Sequence, residues 1–180
     1  MDSEPPQPDL HGPVRPSADV ERFIEEHPTA DWRARLNFMI DRAPQMQEGA
    51  PVWLLEGGAA VHILHPQRRT PDDIDVISSS PDIAKAFIGA DGFDVKGIGE
   101  WFTKRGIEPS VTAKEILFQH FIERIVDGKS VYMLDPVALA VSSLLSHKGG
   151  KMRDKAFEDL RLLNPNPYEV RDLQQQLTRV

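Results

Sequence analysis

The sequence has no cysteine among its 180 residues. A disulfide framework, a thiolate zinc site and a cysteine nucleophile are therefore excluded. No apolar run approaches the length that spans a membrane, and the N-terminus is acidic and proline-rich instead of signal-like. These absences favour a cytoplasmic protein of bacterial type with no membrane partner.

Positive charge is also scarce, with 21 Lys and Arg against 28 Asp and Glu, a formal net charge of −7. This balance argues against broad, nonspecific coating of nucleic acid, which needs a cationic surface. The basic residues nevertheless cluster, beside each other at Arg68 and Arg69 and late in the chain at Lys148, Arg153 and Lys155. Each cluster alone is typical of a solvated helix face, whereas convergence on one site would form a local basic groove.

Proline is concentrated at the N-terminus, where residues 1–16 hold five prolines and almost no apolar pattern. This composition predicts a disordered arm. Residues 17–180 are predicted to form a single domain, since their number is ample for one core. The hydrophobic fraction of 40% and the charged fraction of 27% are those of a soluble globular protein.

The hydrophobic pattern predicts an α+β fold in which a small mixed sheet is flanked by helices. Apolar runs joined by Asp127-Gly128 indicate a hairpin, and Asp135-Pro136 indicates a helix start. The predicted strands cover residues 52–55, a segment from 73, 93–98, 115–126 and 129–134. The predicted helices cover residues 17–27, 29 or 31 to about 47, 59–64, 82–88, 135–147, 151–163 and 168–178. Pro44 offers an alternative, earlier end or a kink for the second of them.

The most informative stretch is residues 52–76, VWLLEGGAAVHILHPQRRTPDDIDV. It reads as a strand, a turn at Gly57 and Gly58, a short apolar helix, a basic connector and a second strand. That second strand opens with Asp73-Ile74-Asp75. Residues two apart on a strand point to the same side, so the Asp73 and Asp75 carboxylates should converge while Ile74 faces the core.

Convergent carboxylates at a strand end form a hard-oxygen site suited to Mg²⁺. A glycine turn at a helix N-terminus presents backbone N–H groups to phosphate, and a β-carbon there would obstruct the approach. Together, Asp73 and Asp75 beside Gly57 and Gly58 suggest phosphoryl or nucleotidyl transfer. Lys148 is a further candidate catalytic residue that would neutralise phosphate charge.

These residues carry a family resemblance. The glycine pair, Arg69-Thr70 and Asp73-Ile74-Asp75 resemble the glycine-pair and D-x-D signature of the nucleotidyltransferase superfamily with the DNA polymerase β-type palm. Two branches are similar: the minimal AbiEii-like, type IV toxin-like enzymes, and the aminoglycoside and lincosamide nucleotidyltransferases. The resemblance implies a nucleotidyltransferase fold, one or two Mg²⁺ ions held by Asp73 and Asp75, and an NTP substrate.

The resemblance also implies further site residues. Gly57, Gly58, Arg69 and Thr70 would bind the nucleotide. The superfamily usually adds a third carboxylate on a neighbouring strand. Glu123 is the first candidate for this metal ligand on position, followed by Glu108 and Asp94.

A late segment, from His147 to Lys155 and on to Asp159-Leu160, is similar to the "K…R…K-D…D-L" helix of the AbiEii-like branch. Lys148, Arg153 and Asp154 are therefore expected to face the site, the last two as nucleotide-binding residues. The alternative interpretation is a helix whose Asp and Lys pairs support its exposed face.

Two classes of function follow. The first is an Mg²⁺-dependent transferase that moves a nucleoside monophosphate from an NTP to RNA, protein or a small molecule such as an aminoglycoside. Its toxin-like form implies an antitoxin partner. The second is a non-catalytic module that binds nucleotide or a partner protein, motivated by the third carboxylate, which the sequence does not identify.

Overall fold

A computed structural model describes residues 15–146 and 154–179. The helices of these residues are α1 (Ala18–Glu26), α2 (Trp32–Arg42), α3 (Gly57–Leu64), α4 (Pro81–Ala86), α5 (Ile98–Lys104), α6 (Val111–Gln119), α7 (Pro136–Leu145), α8 (Asp154–Leu163) and α9 (Pro167–Thr178). The strands are β1 (Met46–Gln47), β2 (Ala50–Pro51), β3 (Trp53–Glu56), β4 (Ile74–Ser78), β5 (Phe93–Gly97), β6 (Phe121–Val126) and β7 (Lys129–Leu134).

The main sheet has five strands in the order β5-β4-β3-β7-β6. Strand β4 is parallel to β5 and antiparallel to β3, β3 is parallel to β7, and β6 and β7 form an antiparallel hairpin. The predicted α+β class, with a small mixed sheet flanked by helices, is confirmed. Among the helices of the described residues, none combines the length and apolar character needed to cross a bilayer.

Local sequence signals account for several element ends. Asp127 (φ 51°) and Gly128 (φ 78°) both adopt the left-handed conformation that a tight hairpin turn requires. The Asp135 side chain accepts a hydrogen bond from the Ala138 N–H at the start of α7, and Pro136 occupies the first turn. The predicted hairpin turn and helix start are therefore confirmed.

One local prediction is wrong. The first part of the predicted strand 115–126 is the C-terminal half of α6, which Ser110 caps by accepting a hydrogen bond from the Ala113 N–H. Helix α2 ends at Arg42, in agreement with the earlier end that Pro44 offers, because Pro44 cannot donate the next helical hydrogen bond. The following residues form the short β1–β2 pair, and α5 occupies a segment that the sequence pattern does not assign.

The Gln45 side chain links strands β3 and β7 at the centre of the sheet. Strands β3 and β7 share the register pair Leu55 and Met133. Next to it, the buried Gln45 amide donates from Nε2 to the carbonyls of Trp53 (3.1 Å) and Tyr132 (2.8 Å). Its Oε1 accepts from the Tyr132 N–H (2.9 Å). Gln45 thus supplies hydrogen bonds that a strand backbone would otherwise make.

The two faces of the sheet differ in chemistry. Ile74 and Val76 of β4 are fully buried. Phe93 of β5, on the same face, packs against aromatic residues of α1 and α2 and against Phe87, which directly follows α4. Alternation along the strands turns Asp75 and Asp94 to the opposite face. Helices α5 and α7 cover part of that second face. The ionisable residues described next lie on the same face.

Candidate active site

The turn between β3 and α3 requires glycine at both positions. Gly57 has φ +64°, a conformation that residues with a β-carbon rarely adopt. A β-carbon at Gly57 would collide with the Asp75 carboxylate, and one at Gly58 would lie 2.5 Å from Nη2 of Arg68. The glycine pair therefore lets two charged side chains lie directly against the backbone at the start of α3.

The predicted aspartates converge on one cavity of about 230 Å³ beside this turn. Asp75 lies on β4, and Asp73 directly precedes that strand. Both aspartates line the cavity, in agreement with the two-residue spacing. The other lining residues are Gly58, Arg68, Arg69, Thr70, Pro71, Asp72 and Lys155.

A row of three carboxylates crosses the sheet at the level of the glycine turn. In the strand register, Asp75 of β4 lies opposite Glu56 of β3 on one side and opposite Asp94 of β5 on the other. Side chains directly opposite each other on adjacent strands are neighbours, and like charges in that position repel. We call Glu56, Asp75 and Asp94 the acidic row.

Two cationic side chains accompany the acidic row. Lys96 follows Asp94 by two residues on β5, and its Nζ lies 3.2 Å from Asp94 Oδ2. The Lys96 side chain is only 9% exposed, whereas that of Asp94 is 47% exposed. Arg105, at the end of α5, places Nη2 3.7 Å from Glu56 Oε1. These cations offset part of the negative charge in a partly buried setting.

The pKa values of Asp73, Asp75 and Asp94 are all shifted at this site. Burial and the neighbouring Glu56 carboxylate raise the pKa of Asp75 well above its usual range. Burial, followed by the charges of Asp94 and Asp72, raises the pKa of Asp73. Carboxyl groups with raised pKa values beside a cavity are a recognised feature of functional sites.

The charge of Lys96 has the opposite effect on the pKa of Asp94, its ion-pair partner. Burial alone would raise the pKa of Asp94, but the Lys96 ammonium and hydrogen bonds with Asp75 and Lys96 outweigh burial and lower that pKa. Burial alone would lower the pKa of Lys96, but the carboxylates of Glu56 and Asp94 lead the charges that raise it. Lys96 therefore stays protonated among acidic groups.

Side chains of α5 and α7 hold the Glu56 carboxylate by hydrogen bonds. Its Oε1 accepts hydrogen bonds from Ser142 Oγ (2.9 Å) and Trp101 Nε1 (3.3 Å), while its buried Oε2 has no hydrogen-bond partner among the described residues. The Arg105 guanidinium stacks 4.0 Å from the centre of the Trp101 ring. Helices α5 and α7 thereby fix the residue that directly precedes the glycine turn.

The basic connector is anchored to α8. Arg68 is buried and donates from Nε and Nη2 to the Asp159 carboxylate at 2.9 and 3.3 Å. Its neighbour Arg69 is exposed, with Nη1 4.0 Å from Glu158 Oε2. Arg68 thus has a structural ion pair, whereas the exposed Arg69 and Thr70 lie at the mouth of the cavity.

The structure does not bring Glu123 to the two aspartates, so its prediction as the third carboxylate is wrong. Glu123 lies on β6, and β3 and β7 separate that strand from β4, a distance of about 14 Å at the usual strand spacing. Its Oε1 accepts a hydrogen bond from Ser130 instead. Glu108 lies in the α5–α6 loop and does not line the cavity. Asp94, the third-ranked candidate, is the one beside Asp75.

Only part of the late basic segment lies within the described residues. Lys148 and Arg153 lie outside the described residues. Asp154 begins α8 but is not among the cavity-lining residues, whereas the adjacent Lys155 lines the cavity.

Glu56, Lys96 and Arg105 are absent from the sequence-based candidates. A signal existed for Lys96: if Phe93 and Val95 face the core, alternation places Asp94 and Lys96 on the other face. For Glu56 the signal is its position directly before the glycine pair. No sequence pattern indicates Arg105, because tertiary packing of α5 brings it to Glu56.

The donor set of this site fits a hard cation. Asp73, Asp75 and Asp94 offer carboxylate oxygens, the ligands that Mg²⁺ prefers, next to a polar cavity. Within residues 15–146 and 154–179, no group of three or more His, Asp or Glu side chains already has the arrangement that holds a metal ion. Asp94 is paired with Lys96 in the arrangement seen here.

The sequence was compared with protein-family models and with curated proteins, and neither comparison finds a match.

Proposed function

We propose that this protein is an Mg²⁺-dependent nucleotidyltransferase that moves a nucleoside monophosphate from an NTP to an acceptor. One observation carries the proposal: Asp73 and Asp75 line the same cavity as Gly58, directly beside the glycine turn at the start of α3. Carboxylates that suit a divalent cation therefore lie next to a glycine turn that suits phosphate, the combination that supports nucleotidyl transfer.

The proposed roles follow from position. Asp73 and Asp75, with Asp94 beside them, would hold the metal. When bound, Mg²⁺ would supply charge neutralisation on the attacking and leaving oxygens. The N–H groups at Gly57 and Gly58 would receive phosphate oxygens at the helix N-terminus.

Positive charge at the cavity mouth would orient the nucleotide. Arg69 and Lys155 line the cavity from the connector and from α8, and Thr70 adds a hydroxyl. Arg68 is already paired with Asp159, so its role is to hold the connector in place. This division assigns ligand contact to the exposed cations and positioning to the buried one.

The acceptor separates the proposed subclasses. A toxin-like enzyme would modify RNA or protein and would have an antitoxin partner, whereas an antibiotic-modifying enzyme would act on a hydroxyl of an aminoglycoside. A non-catalytic nucleotide-binding module is the second candidate. The Lys96–Asp94 ion pair favours it, since the chain itself supplies a cation to the acidic row.

The test is incubation with each α-labelled NTP and Mg²⁺, with total tRNA, cell-extract protein or an aminoglycoside as acceptor. Transfer that is lost in Asp73→Ala and Asp75→Ala but retained in Asp41→Ala, a surface control, would support the enzyme. NTP binding by calorimetry without transfer would favour the second candidate. Absence of both transfer and Mg²⁺-dependent NTP binding would overturn the proposed function.

A further inference from the structure

Lys96 is a buried cation beside the acidic row. Its side chain is 9% exposed and points along the face of β5 that carries Asp94, toward the carboxylates that line the sheet at this level. The Nζ-to-Oδ2 distance of 3.2 Å to Asp94 is that of a direct ion pair. A lysine so placed faces carboxylates instead of solvent.

The acidic row needs such a charge. Three carboxylates in adjacent register repel one another, and burying charges without partners is costly. Arg105 serves the Glu56 end, where its Nη2 lies 3.7 Å from Oε1. Lys96 serves the Asp94 end.

A divalent cation on Asp73, Asp75 and Asp94 would supply the same compensation. Two cations close together repel strongly where water is partly excluded. Binding of the ammonium to Asp94 therefore opposes binding of the metal to the same carboxylate. Arginine at this position would keep the charge, whereas methionine would keep the aliphatic stem and remove the charge.

We propose that Lys96 is an internal counter-ion of the acidic row and competes with the divalent cation for Asp94, so that it sets the metal affinity of the site. This inference rests on the proposed function, because it assumes that the aspartates bind metal. Lys96 is a positioning residue in this scheme: it holds the Asp94 carboxylate until metal arrives.

The test is titration of the full chain with Mn²⁺, a paramagnetic probe in place of Mg²⁺, followed by electron paramagnetic resonance. Lys96→Met should bind Mn²⁺ at least about tenfold more tightly than wild type, because a nearby positive charge is removed. Lys96→Arg keeps the positive charge, so its Mn²⁺ affinity should stay within about twofold of wild type. Lys129→Met is the matched control, since Lys129 forms an exposed ion pair with Asp41.

Thermal unfolding gives a second readout. In EDTA, Lys96→Met should melt below wild type, because the row has lost its counter-ion. Adding MgCl₂ should raise its melting temperature more than that of wild type. Lys96→Gln, a second variant that removes the charge, should show the same pattern of melting temperatures. A Lys96 variant that is unfolded in EDTA but folded with MgCl₂ also supports the inference.

The outcomes separate this inference from the proposed function. Equal or weaker Mn²⁺ binding by folded Lys96→Met, with wild-type binding that Asp75→Asn abolishes, would overturn the counter-ion role alone. Failure of both Lys96→Met and Lys96→Gln to fold even with MgCl₂ would also overturn it, since a divalent cation would then not replace the ammonium. Absence of Mn²⁺ binding in every protein would overturn both proposals.

Discussion

Asp75 lies directly opposite Glu56 in the antiparallel pair of β3 and β4, at the end of β3 that borders the glycine turn. Carboxylates directly opposite each other on adjacent strands repel, and the Asp75 side chain is partly buried. The fold retains this unfavourable pair at the edge of a polar cavity. Such local destabilisation is typical of sites where function, not stability, determines the residue.

Asp75→Asn should therefore separate stability from activity. The amide removes the repelling charge and keeps the shape, so we expect the free energy of unfolding at pH 7 to rise by about 1 kcal/mol, or about 2–4 °C in melting temperature. Nucleotidyl transfer should fall to background, because the metal would lose a ligand. Urea unfolding and the labelled-NTP assay measure the two effects, and a less stable variant would contradict the repulsion argument.

The stability gain from Asp75→Asn should depend on pH. The pKa of Asp75 is raised in the folded protein, so between the unfolded and folded pKa values the native state binds more protons than the unfolded state. The stabilising contribution of protonated Asp75 is fully present below the unfolded pKa and is lost as pH rises through the folded pKa. The difference in unfolding free energy between Asp75→Asn and wild type should grow from pH 4 to pH 8, and a constant difference would refute this linkage.

Gly57→Ala should damage both fold and site. The left-handed backbone costs alanine about 1–2 kcal/mol, and the added β-carbon would displace the Asp75 carboxylate, which adds a further cost of about 1 kcal/mol or more. Gly106→Ala is the matched control, because Gly106 has φ +74° but open space around its α-carbon. Chemical denaturation should show a larger loss for Gly57→Ala, and equal losses would argue against the close approach of Asp75.

Arg68→Met should destabilise the protein by about 3–5 kcal/mol, because it leaves the buried Asp159 carboxylate without its partner. The exposed pair of Lys129 and Asp41 provides the comparison, and Lys129→Met should change stability by less than about 1 kcal/mol. The double variant Arg68→Met, Asp159→Leu should recover most of the loss. Denaturant unfolding of wild type, Arg68→Met, Asp159→Leu and the double variant measures the coupling between the connector and α8.

Much of the sheet could be predicted from the sequence, because its strands are marked by local signals. Alternation placed Asp73 and Asp75 on one side, and Asp127-Gly128 marked the hairpin. The failure at α6 has a local cause as well, since the apolar run from residue 115 suits a strand or a helix. The Ser110 cap at the start of α6 favours the helix.

The site could be predicted only where its residues are close in sequence. Gly57, Gly58, Asp73 and Asp75 belong to one strand–turn–helix–strand unit, so their spacing carries the information. The third carboxylate depends on which strand becomes the neighbour of β4, and that choice is made by packing of the whole domain. Asp94 lies beside Asp75 because β5 pairs in parallel with β4, whereas Glu123 is carried to the far edge by the hairpin.

The Gln45 amide has a consequence for how the sheet opens. Strands β3, β4 and β5 are tied to each other by continuous backbone pairing, whereas their link to the hairpin depends in part on one side chain. Exchange of backbone amide protons should therefore begin at this seam, with the Tyr132 N–H among the early ones. The hairpin would then separate as one unit and leave the strands with the carboxylates intact.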